Sequence, residues 1–119
     1  MSTPVDRIRP DGLAALVVGT DEIAVVDARE QGAFSASHLL HASCVPLSRL
    51  ELMLDHMVPR RSTPLVWCDE GGGEADRAAA RASALGWTDV SVLDGGTPAW
   101  AVAGLELYSG VNVPSKMFG

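Results

Sequence analysis

The chain has 119 residues, the length of one domain with a core of its own. Apolar residues make up 47% of it and its formal net charge is -6, which excludes a disordered chain and argues against nucleic acid or an anionic membrane as a partner. It contains neither a run of about 18 apolar residues nor a signal-like N-terminus, so we expect a cytoplasmic protein.

Short apolar runs alternate with helical patterns along the chain. In order, the pattern predicts a strand at Ile8, a helix from Pro10 to Gly19, a strand at 23–26, a helical turn at 31–34, a strand at 43–45, a helix from Ser48 to Pro59, a strand at 63–67, a helix from Glu74 to Gly86, a strand at 90–93 and a helix from Thr97 to Gly104. This alternation predicts an α/β fold with a largely parallel sheet.

Two helix starts carry a capping signal. Ser48 and Glu51 have the spacing of a capping box, in which each side chain accepts from the other residue's backbone N–H. Thr97 precedes Pro98, and we expect its hydroxyl to cap the last helix.

The stretch 63–86 joins a strand, a glycine-rich loop and a helix. Cys68 stands where the apolar run ends, and the glycines at 71–73 free the backbone that follows it. N–H groups at a helix N-terminus stabilise a nearby thiolate. We therefore predict that Cys68 is a nucleophile. Asp27 ends another predicted strand, and ligands of parallel sheets bind at such ends.

Cys44 and Cys68 lack the spacing of a metal site, and we predict no metal. A disulfide between them is disfavoured in a reducing compartment. Cys44 lies in a short apolar run, which favours a buried strand cysteine.

Four segments in this order resemble the rhodanese-like domain. They are VVDARE at 25–30, SHLLHASCVPLSRLE at 37–51, the WC pair at 67–68 and LDGGTPAWAVAGLEL at 93–107. The resemblance implies a three-layer α/β/α domain over residues 1–107 with a five-stranded parallel sheet. It also implies sulfur transfer without a cofactor, from a small sulfur donor to a thiol or cyanide acceptor.

The resemblance assigns a role to each matching residue. Cys68 matches the family's sulfur-accepting cysteine, which carries a persulfide. The loop whose backbone N–H groups surround that sulfur matches Asp69, Glu70, Gly71, Gly72, Gly73 and Glu74. Asp27 and Arg29 match a structural pair, His38 a loop-ordering histidine, and Gly95, Gly96 and Trp100 a structural turn and helix.

The loop departs from the family pattern in its charge. Gly73 stands where family sulfurtransferases carry a basic residue, and acidic side chains occupy 69, 70, 74 and 76, with only Arg77 opposing them. Arg77 is expected to be a helix-surface ion partner. The loop, counted from Cys68, is also one residue longer than usual, as in related phosphatases and arsenate reductases. Those enzymes need an arginine at the position of Glu74, which argues against their chemistry.

Two readings of the function remain open. In the first, Cys68 is the persulfide carrier of a sulfurtransferase. In the second, the domain is a degenerate module with a scaffold or regulatory role in a longer protein. The segment 108–119 resembles the connector after the first module of tandem rhodanese-like proteins, which implies further such domains in the same parent chain.

Overall fold

The fold is organised around a five-stranded parallel sheet. The computed structural model describes residues 6–19, 22–39 and 41–108. The strands are β1 Asp6–Ile8, β2 Ala24–Asp27, β3 Ala42–Cys44, β4 Leu65–Cys68 and β5 Val90–Leu93. They lie in the order β1-β5-β4-β2-β3, and every pair is parallel. The predicted α/β fold with a five-stranded parallel sheet is confirmed.

Helices connect the strands. They are α1 Pro10–Val17, α2 Gln31–Ala36, α3 Leu50–Met57, α4 Glu74–Ala84 and α5 Gly96–Val102, and a 3₁₀ turn at Leu47–Arg49 precedes α3. Among the described residues, no helix is long and apolar enough to cross a membrane.

Two apolar layers cover the two faces of the sheet. One layer contains Trp67 and the buried alanines of α4, together with the apolar face of α3. The other contains Leu13 of α1 and Trp100 of α5, with Val66 and Cys68 beneath them. Successive side chains of a strand point to opposite faces, so β4 contributes alternately to the two layers. This three-layer arrangement places the N-terminus of α4 beside the carboxyl end of β4.

Both predicted caps are wrong. Ser48 lies in the 3₁₀ turn, α3 begins two residues later, and the Ser48 hydroxyl donates to Glu30 Oε2 at 2.7 Å. Thr97 lies inside α5, whose N-cap is Gly95. The Thr97 N–H donates instead to the backbone oxygen of Asp69 at 2.8 Å, because α5 packs against the loop after β4. Tertiary contacts therefore outweigh the local capping signals at both sites.

The two cysteines are separated by a strand. Asp27 of β2 is in register with Cys44 of β3 on one side and with Cys68 of β4 on the other. Two strand spacings amount to about 9.5 Å, which is beyond the reach of a disulfide. Both cysteines are free. Cys44 is only partly buried, so the predicted burial of this side chain is incomplete.

Candidate functional site

Cys68 is the last residue of β4, and its side chain is fully buried. It packs in the apolar layer that holds Leu13, Leu93 and Trp100. Burial raises the pKa of the Cys68 thiol well above its usual value, and the carboxylates of Asp27 and Asp69 raise it further. These contacts disfavour the thiolate form of Cys68 that the sequence predicts to be stabilised, and they favour the protonated thiol.

The loop after β4 forms a cradle of N–H donors, and the carboxylate of Asp69 fills it. Asp69 Oδ1 accepts from the N–H of Gly71 at 2.9 Å. Its Oδ2 accepts from the N–H of Gly73 at 3.2 Å and from that of Ala75 at 2.9 Å. Asp69 is itself only 6% exposed. The resemblance implies that the N–H groups of 69–74 surround the sulfur of Cys68. Instead, two of them, those of Gly71 and Gly73, bind the carboxylate of Asp69 together with the N–H of Ala75.

Glycines make this geometry possible. Gly71 and Gly73 have φ angles of +100° and +94°, in the left-handed region that side chains disfavour. The backbone of Gly96 approaches the loop from α5, and a Cβ on it would lie 2.3 Å from the backbone oxygen of Asp69. Only glycine leaves room for Asp69 at that point, so α5 and the loop hold the cradle together.

Asp27 and Arg29 form a buried ion pair at the carboxyl end of β2. Arg29 Nε and Nη2 donate to the two carboxylate oxygens of Asp27 at 2.9 and 2.8 Å, and the arginine is 4% exposed. Nη2 also donates to the backbone oxygen of Ser37 at 2.6 Å, and Nη1 lies 3.5 Å from Glu70 Oε1. The guanidinium thereby connects the end of β2, the backbone at Ser37 and Glu70 of the loop. The structure brings together this predicted pair and the loop.

A cleft of about 570 Å³ opens in front of the loop. Its lining residues are Arg29, Glu30, Ala33, Glu70, Gly72, Glu74 and Pro98. Glu74 folds back over Gly72, where a Cβ would lie 2.6 Å from its Oε1. That oxygen is buried, and no hydrogen-bond partner for it is found among the described residues. Three carboxylates therefore face any anion that enters this cleft, against the one guanidinium of Arg29.

The other two predicted supporting residues, His38 and Arg77, do not line the cleft. The His38 ring stacks on Phe34 at a centroid distance of 4.1 Å, and its Nδ1 lies 2.7 Å from the backbone oxygen of Leu39. Its backbone pairs with Tyr108 through two hydrogen bonds. This pairing anchors the first residue of the predicted tail, whose remainder, 109–119, lies outside the described residues. Arg77 is exposed on α4, where its guanidinium lies beside Gly73 of the loop. The expectation that it is an ion partner is wrong for the described residues, because none of their carboxylates pairs with it.

The loop is predicted from the sequence, but the place of Asp69 within it is not, because a strand that is apolar at every position does not show its phase. The folded chain fixes that phase. Trp67 faces α4, so the side chain of Cys68 must point to the opposite layer and that of Asp69 back toward α4. The loop is one residue longer than usual when it is counted from Cys68, and it has the usual length when it is counted from Asp69.

Fold and site together define a class of protein. This is an α/β domain with an anion-binding loop between a central parallel strand and the following helix, and no group of three or more metal-ligating side chains occurs in the described part of the chain. The family description "Rhodanese-like domain" matches residues 10–103. The chain belongs to the rhodanese-like domain family.

Solved structures agree with this assignment. A thiosulfate sulfurtransferase from Pseudomonas aeruginosa is 44% identical with a TM-score of 0.90, and the match covers 96% of this chain and 22% of that one. This chain thus spans about a fifth of that protein.

More distant structures share the fold. A protein of Bacillus halodurans is 21% identical (TM-score 0.78; 87% of this chain, 77% of that one). The polysulfide-sulfur transferase homodimer of Wolinella succinogenes is 18% identical (TM-score 0.75; 88% and 79%). No protein of curated function matches the sequence.

Proposed function

We propose that this chain is a non-catalytic rhodanese-like module, in which the carboxylate of Asp69 takes the place of the sulfur anion that the family carries on its loop. The observation that supports it best is the convergence of three backbone N–H donors on Asp69. In the family, such donors surround the sulfur of the accepting cysteine. Asp69, and not Cys68, therefore occupies the accepting position, and a carboxylate cannot take up sulfane sulfur.

Electrostatics disfavours a persulfide on Cys68 as well. A persulfide is an anion. Two negative charges, on Asp27 and Asp69, and one positive charge, on Arg29, already act on this thiol. One further negative charge about 6 Å from a carboxylate costs roughly 0.7 to 3 kcal/mol at an effective dielectric of about 20 to 80. Three N–H groups that could offset this cost, those of Gly71, Gly73 and Ala75, already donate to Asp69.

The negative charge of the cleft also disfavours the entry of a sulfur donor. Thiosulfate and polysulfides are dianions, and Glu30, Glu70 and Glu74 line the approach. Like charges that line a cleft lower the local concentration of such a ligand and slow its association. This repulsion acts whichever residue accepts the sulfur.

A module that carries no sulfur is consistent with a role in a larger protein. The Pseudomonas aeruginosa thiosulfate sulfurtransferase is about five times as long as the part that this chain matches. We propose that this module acts as a scaffold or regulatory unit beside other rhodanese-like domains in one parent chain. The small sulfur donor and the thiol or cyanide acceptor would then bind to those domains.

Sulfur transfer by Cys68 itself is the second candidate. Two observations favour it: the family includes sulfurtransferases, and Cys68 lies at the carboxyl end of a central strand beside Asp27. Phosphatase or arsenate reductase chemistry has no such support, because positions 69–74 hold no arginine.

Mass spectrometry of the intact protein decides between the two candidates. The wild-type chain and a Cys68→Ser variant are incubated with thiosulfate or with inorganic polysulfide. We expect neither to gain the mass of a sulfur atom at neutral pH. A gain in the wild type that is lost in Cys68→Ser would overturn the non-catalytic assignment and establish Cys68 as the carrier.

A further inference from the structure

The arginines of this acidic chain are almost all paired. Of the nine basic residues one is Lys116, which leaves eight arginines. Six of these contact a carboxylate: Arg7, Arg9, Arg29, Arg60, Arg61 and Arg81. Arg49 and Arg77 are the exceptions, because neither pairs with any carboxylate in the part of the chain that the structure describes.

The two unpaired arginines lie along the same groove. It is formed by the 3₁₀ turn, the start of α3 and the outer face of α4, and it encloses about 580 Å³. Arg49 ends the 3₁₀ turn, and Arg77 lies one helical turn before Arg81 on α4. The Arg81–Glu51 ion pair lies in the same groove, with both side chains about half exposed. Two arginines that pair with no carboxylate of the described residues therefore line one groove in a chain of net charge -6.

The same groove also presents apolar surface. Leu52, at the start of α3, is 81% exposed, and Leu47 of the 3₁₀ turn is partly exposed beside it. The exposed leucine and the two arginines without a carboxylate partner in the described part of the chain line the same groove. Together they match a ligand that carries both carboxylates and an aliphatic side chain.

We propose that this groove, defined by Arg49, Arg77 and Leu52, is a docking site for a short acidic segment of a partner protein. The overall charge of the chain selects against long polyanions such as nucleic acids, whose many phosphates would meet a net negative surface. A segment with a few carboxylates gains the local attraction with little of that repulsion. Leu52 favours a peptide over a small inorganic anion, because such an ion gains nothing from an aliphatic contact.

The groove adjoins the cleft in front of the loop. Ser48 lines the groove, and its hydroxyl donates to Glu30, which lines the cleft. Arg77 also lies against Gly73 of the loop. A partner seated in the groove would thus lie next to the loop, whether or not the loop carries sulfur. The docking site does not depend on the function proposed above.

Charge reversal with a matched control tests the site. The groove variant is Arg49→Glu with Arg77→Glu, and the control is Arg9→Glu with Arg60→Glu, two exposed arginines outside the groove. The two variants have the same net charge, so long-range repulsion is equal in both. The probe is a short fluorescein-labelled peptide of glutamates around one leucine, and its binding is followed by fluorescence anisotropy at low ionic strength.

We expect the wild type to bind this peptide and the groove variant to bind it about tenfold or more weakly than the control variant. The amide NMR signals of residues 47–52 and 77–81 should shift on binding. The proposal is overturned if the wild type does not bind, if both variants lose affinity equally, or if a peptide with glutamine for glutamate binds as well. Tighter binding of a single-stranded oligonucleotide than of the peptide would also overturn it.

Discussion

Cys68 and Asp69 are consecutive residues, yet their side chains serve different parts of the structure. Cys68 packs in the apolar layer under α1 and α5, whereas the carboxylate of Asp69 accepts hydrogen bonds at the N-terminus of α4, which packs on the other face. The thiol therefore lies away from the N–H donors of the loop, and these donors bind the carboxylate of Asp69 instead. This relationship leads to four predictions.

The first prediction concerns a variant in which the thiol stands at position 69 instead of position 68. In an Asp69→Cys, Cys68→Ser variant, the sulfur lies where Gly71, Gly73 and Ala75 donate their N–H groups, so these donors stabilise a thiolate and lower its pKa. We expect this variant to gain the mass of one sulfur atom from polysulfide, while Cys68→Ser alone gains none. A folded variant that stays unloaded would show that Asp69 does not occupy the accepting position.

The second prediction concerns stability. Asp69→Ala leaves three N–H donors without their charged acceptor, and we expect a loss of about 2 to 4 kcal/mol in the free energy of unfolding, measured with urea. The control is Asp76→Ala at the same helix end. Asp76 pairs with Arg7 at the surface, so its loss should cost no more than about 1 kcal/mol. Equal losses would mean that the Asp69 contacts are no stronger than a surface ion pair.

The third prediction compares two glycines at opposite ends of α5, of which Gly96 is its first residue and Gly104 follows its C-cap, Ala103. Gly96 and Gly104 both have positive φ angles, of +65° and +87°. A Cβ on Gly96 would lie 2.3 Å from the backbone oxygen of Asp69, whereas one on Gly104 would meet nothing within 4 Å. We expect Gly104→Ala to cost about 1 kcal/mol of backbone strain and Gly96→Ala at least about 3 kcal/mol, because the loop must also move.

Hydrogen exchange separates strain from loop displacement in this pair. In Gly96→Ala the amides of Gly71, Gly73 and Ala75 should exchange faster, because their acceptor Asp69 is displaced. In Gly104→Ala they should exchange as in the wild type. Unchanged loop amides in Gly96→Ala would contradict the proposed coupling between α5 and the loop.

The fourth prediction is a pH dependence. The pKa of Cys68 is raised in the folded chain, so above about 8.5 the unfolded thiol loses its proton while the buried one keeps it. The unfolded state then binds fewer protons, and the stabilisation present below about pH 8.5 declines as the pH rises. We expect the stability advantage of the wild type over Cys68→Ala to shrink between pH 8 and pH 10, as measured by urea unfolding at fixed ionic strength. A constant difference across this range would contradict the burial of a protonated thiol.

Much of the architecture could be predicted from the sequence. Continuous apolar runs such as 23–26 and 63–67 predicted buried parallel strands, and β2 and β4 confirm them within two residues. Four motifs in a particular order predicted the family, which the match over residues 10–103 confirms. Local patterns of this kind are properties of neighbouring residues, so the sequence alone contains them.

Contacts between distant segments could not be predicted in this way. Ser48 and Thr97 have good capping signals. In the structure, the Ser48 hydroxyl donates to Glu30 and the Thr97 N–H donates to the backbone oxygen of Asp69. Both partners are distant in the sequence, so no local rule identifies them. For the same reason, the pairing of Arg29 with Ser37 and Glu70 came only from the folded chain.

The order of apolar runs and motifs along the chain is sufficient to predict the parallel sheet, the family and the glycine-rich loop that follows β4. Which of two neighbouring side chains faces that loop depends on how β4 packs in the folded chain. A strand buried on both faces, such as Leu65–Cys68, carries apolar residues at every position and so shows no alternation from which its phase can be read. Once α4 packs on Trp67, the phase is set, and Asp69 instead of Cys68 receives the N–H groups of the loop.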